Sequence, residues 1–230
     1  SKVGFDMGEG KNISKDYILR EVETSLKRLQ TDRIDLYFTH LDDEVTPVEE
    51  TLSAHEQLIK AGKVRWIGAS NLSPERLKDS LAASAANGLP RYEVFQPEYN
   101  LYDRQGFEEG VGPICKEHGL GVIVYFALAR GFLTGKYRSE DDLGKSVRGR
   151  GVKDYLDERG IRILKALDET AEKHGVSQAA VSLAWLMAKP PVTAPIASTT
   201  KRKHLDSFAE AAALRLSADD MSRLDEASAY

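Results

Sequence analysis

The sequence predicts an α/β fold, a TIM (β/α)8 barrel that is partial, with about six of the eight strand–helix units present (strands 3 to 8). Three observations lead to this prediction. Short apolar strands alternate with helices, mostly about 30 residues apart, which is typical of right-handed βαβ units and a parallel sheet. No strand is followed by a G-x-G-x-x-G run, which disfavours a doubly wound dinucleotide-binding sheet. Polar residues recur where strands end, as in barrels that carry their chemistry at that face.

Length and composition fit one soluble globular domain. With 230 residues, 41% of them hydrophobic and 30% charged, the chain is expected to form a single partial barrel domain over residues 1–230. A net charge of −4 argues against a nucleic-acid partner, which normally meets a basic surface. No apolar run is long enough to span a membrane, so no membrane partner is expected. A single cysteine, Cys115, excludes an internal disulfide framework and fits a reducing, cytoplasmic compartment.

The start of the chain is abrupt. It begins at Ser1 and enters the strand-like segment 2–5 without a leading helix or cap. We therefore expect a piece of a longer protein. A barrel without its first two strands has unpaired strand edges, which are prone to aggregate. Either a missing N-terminal segment or a second copy in a homo-oligomer is expected to cover that gap.

The first helices are predicted from their apolar spacing and their caps. Ser14 is expected to cap a helix with an apolar stripe of Leu19, Val22, Leu26 and Leu29. The run 46–49, Thr-Pro-Val-Glu, reads as a capping box that opens a second helix, with Pro at its first position and its end at glycine 62.

The strand at 34–40 supplies the first candidate for chemistry. Ile34, Leu36 and Phe38 alternate on one face, and His40 continues that face at the strand exit. An imidazole in this place is a plausible proton-transfer or hydrogen-bonding group. A His bonded to a neighbouring backbone group is the ordinary alternative.

The later elements follow the same pattern. Strands are predicted at 64–69, 92–96, 121–127 and 192–197, and helices at 158–174 and 177–189, with further helices beginning at Ser73, before Ile114, at Lys201 and at Ser217. The polar stretch 130–157, after the fifth strand present, is predicted to be a long functional loop.

A set of short motifs, in this order along the chain, resembles the aldo-keto reductase family. The matching stretches are Lys2-Val3-Gly4, Ile34-Asp35-Leu36-Tyr37 with His40, Gly68-Ala69-Ser70-Asn71, Gln96-Pro97-Glu98-Tyr99-Asn100, the run 128–136 and Ala194-Pro195-Ile196. The resemblance implies a barrel, NADPH as cofactor, and hydride transfer to the carbonyl of a small aldehyde or ketone substrate.

The resemblance also implies two catalytic residues. His40 matches the His of the family's Asp, Tyr, Lys, His tetrad, and Lys2 matches its Lys, whose charge would lower the pKa of the Tyr. An exposed terminal lysine is the ordinary alternative for Lys2. The tetrad Asp and Tyr belong to a segment before this chain, and no residue here matches them.

The cofactor residues follow from the same resemblance. Ser70, Asn71 and Gln96 match the residues that hydrogen-bond the nicotinamide carboxamide, although Ser and Asn also favour loops after strands. Tyr125 matches the aromatic residue that stacks on the nicotinamide ring. Phe126 and the next residue replace the Ser-Pro of many relatives. Backbone N–H groups from Leu128 to Gly131 remain expected pyrophosphate donors.

The segment after the last strand is expected to bind the adenosine 2′-phosphate. It contains Ser198, Thr199, Thr200, Lys201 and His204. Basic side chains at the start of a helix attract anions, and relatives bind this phosphate here, which favours NADPH over NADH. A solvated charge run is the ordinary alternative.

Two other functions remain open at this point. One is an NADPH-binding, redox-sensing or channel-associated protein of the same fold with little turnover; the other is an unrelated phosphate-binding isomerase or lyase. No metal site is expected, since His55, His118 and His174 lack ligand spacing.

Overall fold

A computed structural model of the protein describes residues 1–6, 8, 10–146, 149–199 and 201–230. The strands are β1 (Lys2–Val3), β2 (Ile34–Thr39), β3 (Val64–Ser70), β4 (Val94–Gln96), β5 (Gly121–Val124) and β6 (Val192–Pro195). The α-helices are α1 (Lys15–Leu29), α2 (Val48–Lys60), α3 (Pro74–Asn87), α4 (Gly112–Glu117), α5 (Glu158–His174), α6 (Gln178–Met187), α7 (Asp206–Ala213) and α8 (Ala218–Ala227).

The order of the strands separates the two architectures that the sequence left in competition. The six strands hydrogen-bond in chain order, β1-β2-β3-β4-β5-β6, and the pairs from β1 to β5 are parallel. A doubly wound sheet reverses its strand order, whereas the strands of a barrel follow the chain. The predicted α/β class is confirmed, and the sheet is consistent with a partial barrel.

The described chain divides into two compact units. The first unit contains Ser1–Pro97 and Gly110–Val122, and the second contains Glu98–Glu109 and Ile123–Tyr230. The single domain expected for residues 1–230 stays a prediction.

Helix α1 in the first unit shows how far apolar spacing predicts burial. Its buried residues are Ile18, Val22 and Leu26, four residues apart and therefore on one face. Leu19, predicted in the stripe, is only partly buried, and Ile18 takes its place. Leu29, also predicted to share the stripe, is the last helical residue and is exposed. The prediction for Leu29 is wrong because the helix ends before a further turn can cover it.

The sequence predicted the start of α3 correctly but not the start of α2. Ser73 accepts a hydrogen bond from the Arg76 N–H and Pro74 is the first helical residue, so the predicted start of α3 is confirmed. The capping box predicted at 46–49 is wrong. The Thr46 hydroxyl donates to the Asp43 carboxylate over 2.6 Å instead, and α2 begins at Val48, one residue later than predicted.

The second unit is more regular than the sequence indicated. The stretch 130–157 contains short 3-10 helices at Glu140–Lys145 and Gly149–Tyr155. The segment Ala129–Thr134 is a 3-10 turn that is interrupted at Arg130 and Gly131, where φ is positive. Phe132 and Leu133 from this stretch are fully buried. The predicted helices 158–174 and 177–189 are confirmed as α5 and α6, and α6 is buried along nearly its whole length.

The C-terminal segment contains one correct and one wrong helix start. The start predicted at Ser217 is confirmed, since Ser217 caps α8 and forms a capping box with Asp220. The helix predicted from Lys201 is wrong in its start, since a 3-10 turn at Arg202–His204 precedes α7, which begins at Asp206. The N–H of Lys201 donates to the Thr199 hydroxyl, and Lys201 is extended, which delays the helix.

Within the described ranges, no helix is both long enough and apolar enough to cross a membrane. The same ranges contain no group of three or more His, Cys, Asp or Glu residues able to hold a metal ion.

Three buried side chains of the first unit, His55, Thr39 and Tyr92, contact one another through their polar atoms. The fully buried His55 in α2 contacts the Thr39 hydroxyl through Nε2 over 3.0 Å, and the same hydroxyl lies 3.0 Å from the Tyr92 hydroxyl. Burial lowers the pKa of His55 to about 4. The imidazole is therefore neutral in the folded protein at pH 7, while the unfolded chain binds a proton near pH 6.5.

This difference predicts a pH dependence of stability. Above pH 6.5 both states carry a neutral His55, so its contribution is complete; as the pH falls, the unfolded state gains the proton first and stability is lost. We expect the free energy of unfolding of the wild type to lose about 2 kcal/mol more than that of His55→Phe between pH 7 and pH 5. Urea unfolding at each pH measures this gap.

A second histidine variant is the control for this experiment. His118→Phe removes an exposed imidazole from the same unit, so its stability should follow that of the wild type between pH 7 and pH 5. If the free energies of unfolding of the wild type and His55→Phe changed in parallel with pH, the pH dependence would not come from His55.

Candidate functional site

Lys2, the first residue of β1, and Gln96, the last residue of β4, meet in the first unit. The Lys2 ammonium donates a hydrogen bond to Gln96 Oε1 and lies 5.8 Å from the centre of the Phe38 ring. Gln96 is buried. Burial lowers the pKa of Lys2, with no contribution from a carboxylate among the residues that the structure describes. The Lys2 ammonium is therefore hydrogen-bonded here to a neutral amide oxygen.

Ser70 and Asn71 extend this contact towards β2. The fully buried Ser70 hydroxyl donates to the Gln96 carbonyl over 2.8 Å. The Asn71 amide nitrogen donates to Ser70 Oγ over 2.9 Å and to the His40 carbonyl over 3.2 Å. Asn71 has a φ of 54°, a left-handed conformation that Asn tolerates better than most residues. Five residues singled out in the sequence thus form one connected network, which we call the polar network: Lys2, His40, Ser70, Asn71 and Gln96.

His40 lies directly after β2. Its N–H donates to the Val3 carbonyl over 2.8 Å, and its ring stacks on Phe5 with 5.1 Å between the ring centres. Burial, and secondly the charge of Lys2, lower the pKa of His40. The ring is half-buried and neutral at pH 7, so one ring nitrogen can donate a hydrogen bond and the other can accept one.

Tyr125 follows β5 in the second unit. It pairs with Glu98 in a parallel bridge, and its ring meets the Phe126 ring edge-on at 5.2 Å. Burial and the carboxyl groups of Glu98 and Asp103 raise the pKa of Tyr125. The half-buried phenol is therefore uncharged at pH 7 and presents a neutral aromatic surface.

The residues after Tyr125 form a tight turn, which we call loop 126–131. Positive φ angles occur at Phe126, Ala129, Arg130 and Gly131. The N–H of Ala129 donates to the Phe126 carbonyl, and the N–H of Gly131 donates to the Leu128 carbonyl, each over 2.7 Å. Two of the amides expected to bind phosphate are therefore bonded within the loop. The Arg130 guanidinium lies 4.9 Å from the centre of the Phe126 ring.

The segment 198–204 is held by one threonine. Thr199 Oγ1 accepts from the N–H of Lys201 over 3.1 Å and lies 3.2 Å from His204 Nδ1. Ser198, Lys201 and His204 are exposed, and Thr200 lies outside the described residues.

Sequence reasoning missed a polar group that follows β4. Glu98, Asn100 and Asp103 lie beyond Gln96, with Asn100 fully buried. Burial and the neighbouring Asp103 raise the pKa of Glu98, and the Tyr155 hydroxyl donates to Asp103 over 3.1 Å. Their position directly after a strand was the available signal, because polar residues in that position mark the C-terminal face of a parallel sheet.

The predicted site residues are thus divided between the two units. The five residues of the polar network belong to the first unit, and the predicted cofactor residues from Tyr125 onwards belong to the second.

Comparisons with known proteins match almost the whole chain. A sequence model of the aldo/keto reductase family matches residues 1–229. The chain is 32% identical over 237 aligned residues to L-glyceraldehyde 3-phosphate reductase of Escherichia coli O157:H7, covering 98% of this chain and 68% of that protein. It is 34% identical over 217 residues to probable aldo-keto reductase 1 of Glycine max, covering 93% and 60%. It is 31% identical over 221 residues to aldo-keto reductase yakc [NADP(+)] of Schizosaccharomyces pombe, covering 94% and 63%.

Proposed function

Because this chain belongs to the aldo/keto reductase family, we propose that the protein is an oxidoreductase that uses NADPH to reduce an aldehyde or ketone to an alcohol. The relatives named above are reductases, one of them with NADP(+) in its name. The chain spans about two thirds of their length, 60–68%. The observation that carries the proposal is the polar network, in which five residues that lie in or directly after four neighbouring strands are joined by hydrogen bonds.

The side chains of the polar network fit a nicotinamide. A carboxamide both donates and accepts hydrogen bonds, and the amides of Asn71 and Gln96 can do the same. The buried hydroxyl of Ser70 is bonded to the Gln96 carbonyl and to the Asn71 amide, so its role is to hold these two residues. Tyr125 supplies an aromatic ring in the second unit, against which a nicotinamide can stack.

We propose that His40 orients the carbonyl oxygen of the substrate and that Lys2 lowers the pKa of the proton donor. A bound nicotinamide would supply a hydride to the carbonyl carbon. A neutral His40 donates a ring N–H to the carbonyl oxygen and so orients the substrate. The proton for the carbonyl oxygen would come from the tyrosine of the family's tetrad, which no residue of this chain matches. The Lys2 ammonium favours the ionised form of such a hydroxyl, because an opposite charge lowers the pKa of an acid.

The segment 198–204 is proposed to bind the 2′-phosphate that distinguishes NADPH from NADH. Lys201 and His204 are exposed, and the Thr199 hydroxyl fixes the turn between them. Charge-assisted hydrogen bonds to phosphate are stronger than neutral ones, so NADPH is expected to bind more tightly than NADH. The cytoplasmic location and the oligomeric state remain predictions.

Cofactor binding tests the proposed function directly. NADPH is titrated into the protein while the fluorescence of Trp66 and Trp185 is followed, and Gln96→Leu is compared with the wild type. Leucine has a similar size but cannot bond to a carboxamide or to Lys2, so we expect the Kd for NADPH to rise about tenfold, equivalent to about 1.4 kcal/mol. Gln105→Leu, which changes an exposed Gln, should leave the Kd unchanged.

Substrate turnover distinguishes a reductase from an NADPH-binding, redox-sensing protein of the same fold. A reductase oxidises NADPH steadily with at least one member of an aldehyde and ketone panel, whereas a redox-sensing protein binds NADPH without turnover. Failure of the wild type to bind NADPH would contradict both functions.

A further inference from the structure

Asn100 is a fully buried amide side chain shortly after β4, and all four of its hydrogen bonds are made. Its Oδ1 accepts from the N–H groups of Tyr102 and Asp103 over 2.8 and 2.9 Å. Its Nδ2 donates to Asp103 Oδ2 over 2.9 Å and to the Phe126 carbonyl over 3.1 Å. Two donors and two acceptor positions are the full capacity of an asparagine side chain.

The two ends of this amide have different partners. The oxygen holds the turn 100–103, to which Asn100 itself belongs. The nitrogen reaches 26 residues further along the chain to Phe126, the first residue of loop 126–131. Asn100 therefore joins the segment after β4 to the loop after β5 within the second unit.

Loop 126–131 has a backbone conformation that is unfavourable for the amino acids in it. Phe126, Ala129 and Arg130 have φ angles of 50°, 45° and 56°, although none of them is glycine. Such conformations are unfavourable for residues with a Cβ and persist when the surroundings enforce them. The Phe126 carbonyl accepts from both Asn100 Nδ2 and the N–H of Ala129, so Asn100 anchors the loop at its first left-handed residue.

The Asp103 carboxylate fixes the direction of the Asn100 amide. Asp103 Oδ2 accepts one hydrogen of Asn100 Nδ2, and it also accepts the Tyr155 hydroxyl. The second hydrogen of Nδ2 is thereby aimed at the Phe126 carbonyl. A buried network in which each member is satisfied holds a single geometry.

We propose that Asn100 is a positioning residue: it holds loop 126–131 in the conformation in which that loop receives the phosphates of the cofactor. The proposal rests on the proposed function and on the pyrophosphate contact that the family resemblance implies for residues 128–131. Asn100 acts through the Phe126 carbonyl and, being fully buried, does not itself touch a ligand.

The variant Asn100→Asp tests the nitrogen end of the Asn100 amide separately from its oxygen end. Aspartate keeps an oxygen for the N–H groups of Tyr102 and Asp103 but loses both hydrogens of Nδ2. In the protein without cofactor, we expect the amides of Ala129 and Gly131 to exchange with solvent about tenfold faster, whereas those of Tyr102 and Asp103 keep their protection. The Kd for NADPH should rise about tenfold, because the loop must then be ordered on binding.

Asn100→Ser and Asn87→Asp complete the set of variants. Serine can still accept from the N–H two residues on, cannot reach Phe126 and adds no charge beside Asp103, so it should reproduce the faster exchange and the weaker binding. Asn87 Nδ2 donates to the Ala83 carbonyl over 2.9 Å in α3 of the first unit, so Asn87→Asp makes the same chemical change away from the loop and should alter neither quantity.

The outcomes distinguish this inference from the proposed function. If the wild type binds NADPH and both Asn100 variants bind it equally well, the positioning role is overturned. Equal loss of protection at residues 102–103 and 129–131 would also overturn it, because Asn100 would then support the fold in general. If the wild type does not bind NADPH, the proposed function itself fails.

Discussion

Replacing Arg104 by methionine is expected to lower the free energy of unfolding by about 3–5 kcal/mol, the usual cost of breaking a buried ion pair. Arg104 is buried in the second unit and contacts both carboxylate oxygens of Glu108, over 2.9 and 3.0 Å. It also donates to the Asp225 carbonyl and to the Ser228 hydroxyl, over 3.0 and 2.8 Å. Methionine keeps the apolar stem but removes the cation that pairs with Glu108, which retains only neutral donors such as the Tyr99 hydroxyl.

Urea unfolding and thermal unfolding measure this loss. For a chain of this size, the expected shift in Tm is roughly 10 °C. Adding Glu108→Gln to Arg104→Met should recover part of the loss, because the unpaired charge is then removed. Arg223→Met is the matched control: it breaks an ion pair with Glu169 whose side chains are about half exposed, and such pairs contribute 0–1 kcal/mol. Similar losses for both arginines would contradict the role assigned to Arg104.

Replacing Gly68 by alanine is expected to destabilise the first unit by about 3 kcal/mol, the upper end of the range for overpacking. A Cβ at this position of β3 would lie 2.6 Å from Phe38 Cε1 and 2.9 Å from the Val94 carbonyl oxygen. The Phe38 ring can turn only by losing its packing. The Val94 carbonyl belongs to β4, so relief of the second contact requires a shift between paired strands.

The same substitution should disturb the polar network. Gly68 lies two residues before Ser70, and β4 ends at Gln96, so a displacement of β4 separates the Ser70 hydroxyl from the Gln96 carbonyl. We expect Gly68→Ala to weaken NADPH binding in addition to lowering stability. The control is Gly144→Ala, since a Cβ at Gly144 meets nothing within 4 Å and its effect should stay within about 0.5 kcal/mol. If Gly68→Ala were as stable as the wild type, the predicted clash of the new Cβ with Phe38 and Val94 would be contradicted.

Local signals predicted helix starts well when the cap needed only its own neighbours. Ser73 and Ser217 cap α3 and α8 as expected, because a hydroxyl reaches an N–H three residues along the same chain. Thr46 has the same motif, but Asp43 takes its hydroxyl. A capping motif does not reveal a competing acceptor that the preceding loop brings into range.

The candidate site illustrates the same limit. The positions of His40, Ser70, Asn71 and Gln96 at strand ends were readable from the sequence, because strand length and polarity are local properties. The hydrogen bonds that join them were not, since residues up to 94 positions apart meet only through the register of β1 to β4. Asn100 was quoted as part of a motif, yet its role depends on a partner 26 residues away.

Sequence alone determined the alternation of strands and helices, the family, and which strand ends carry polar residues, because each of these depends on patterns within short segments. Only the tertiary structure decided the partners: an amide oxygen for Lys2, the neutral buried His55, the left-handed turn at Phe126 and the paired Arg104. The physical reason is that hydrogen bonds and burial act across space, and their strength depends on neighbours that short segments do not contain.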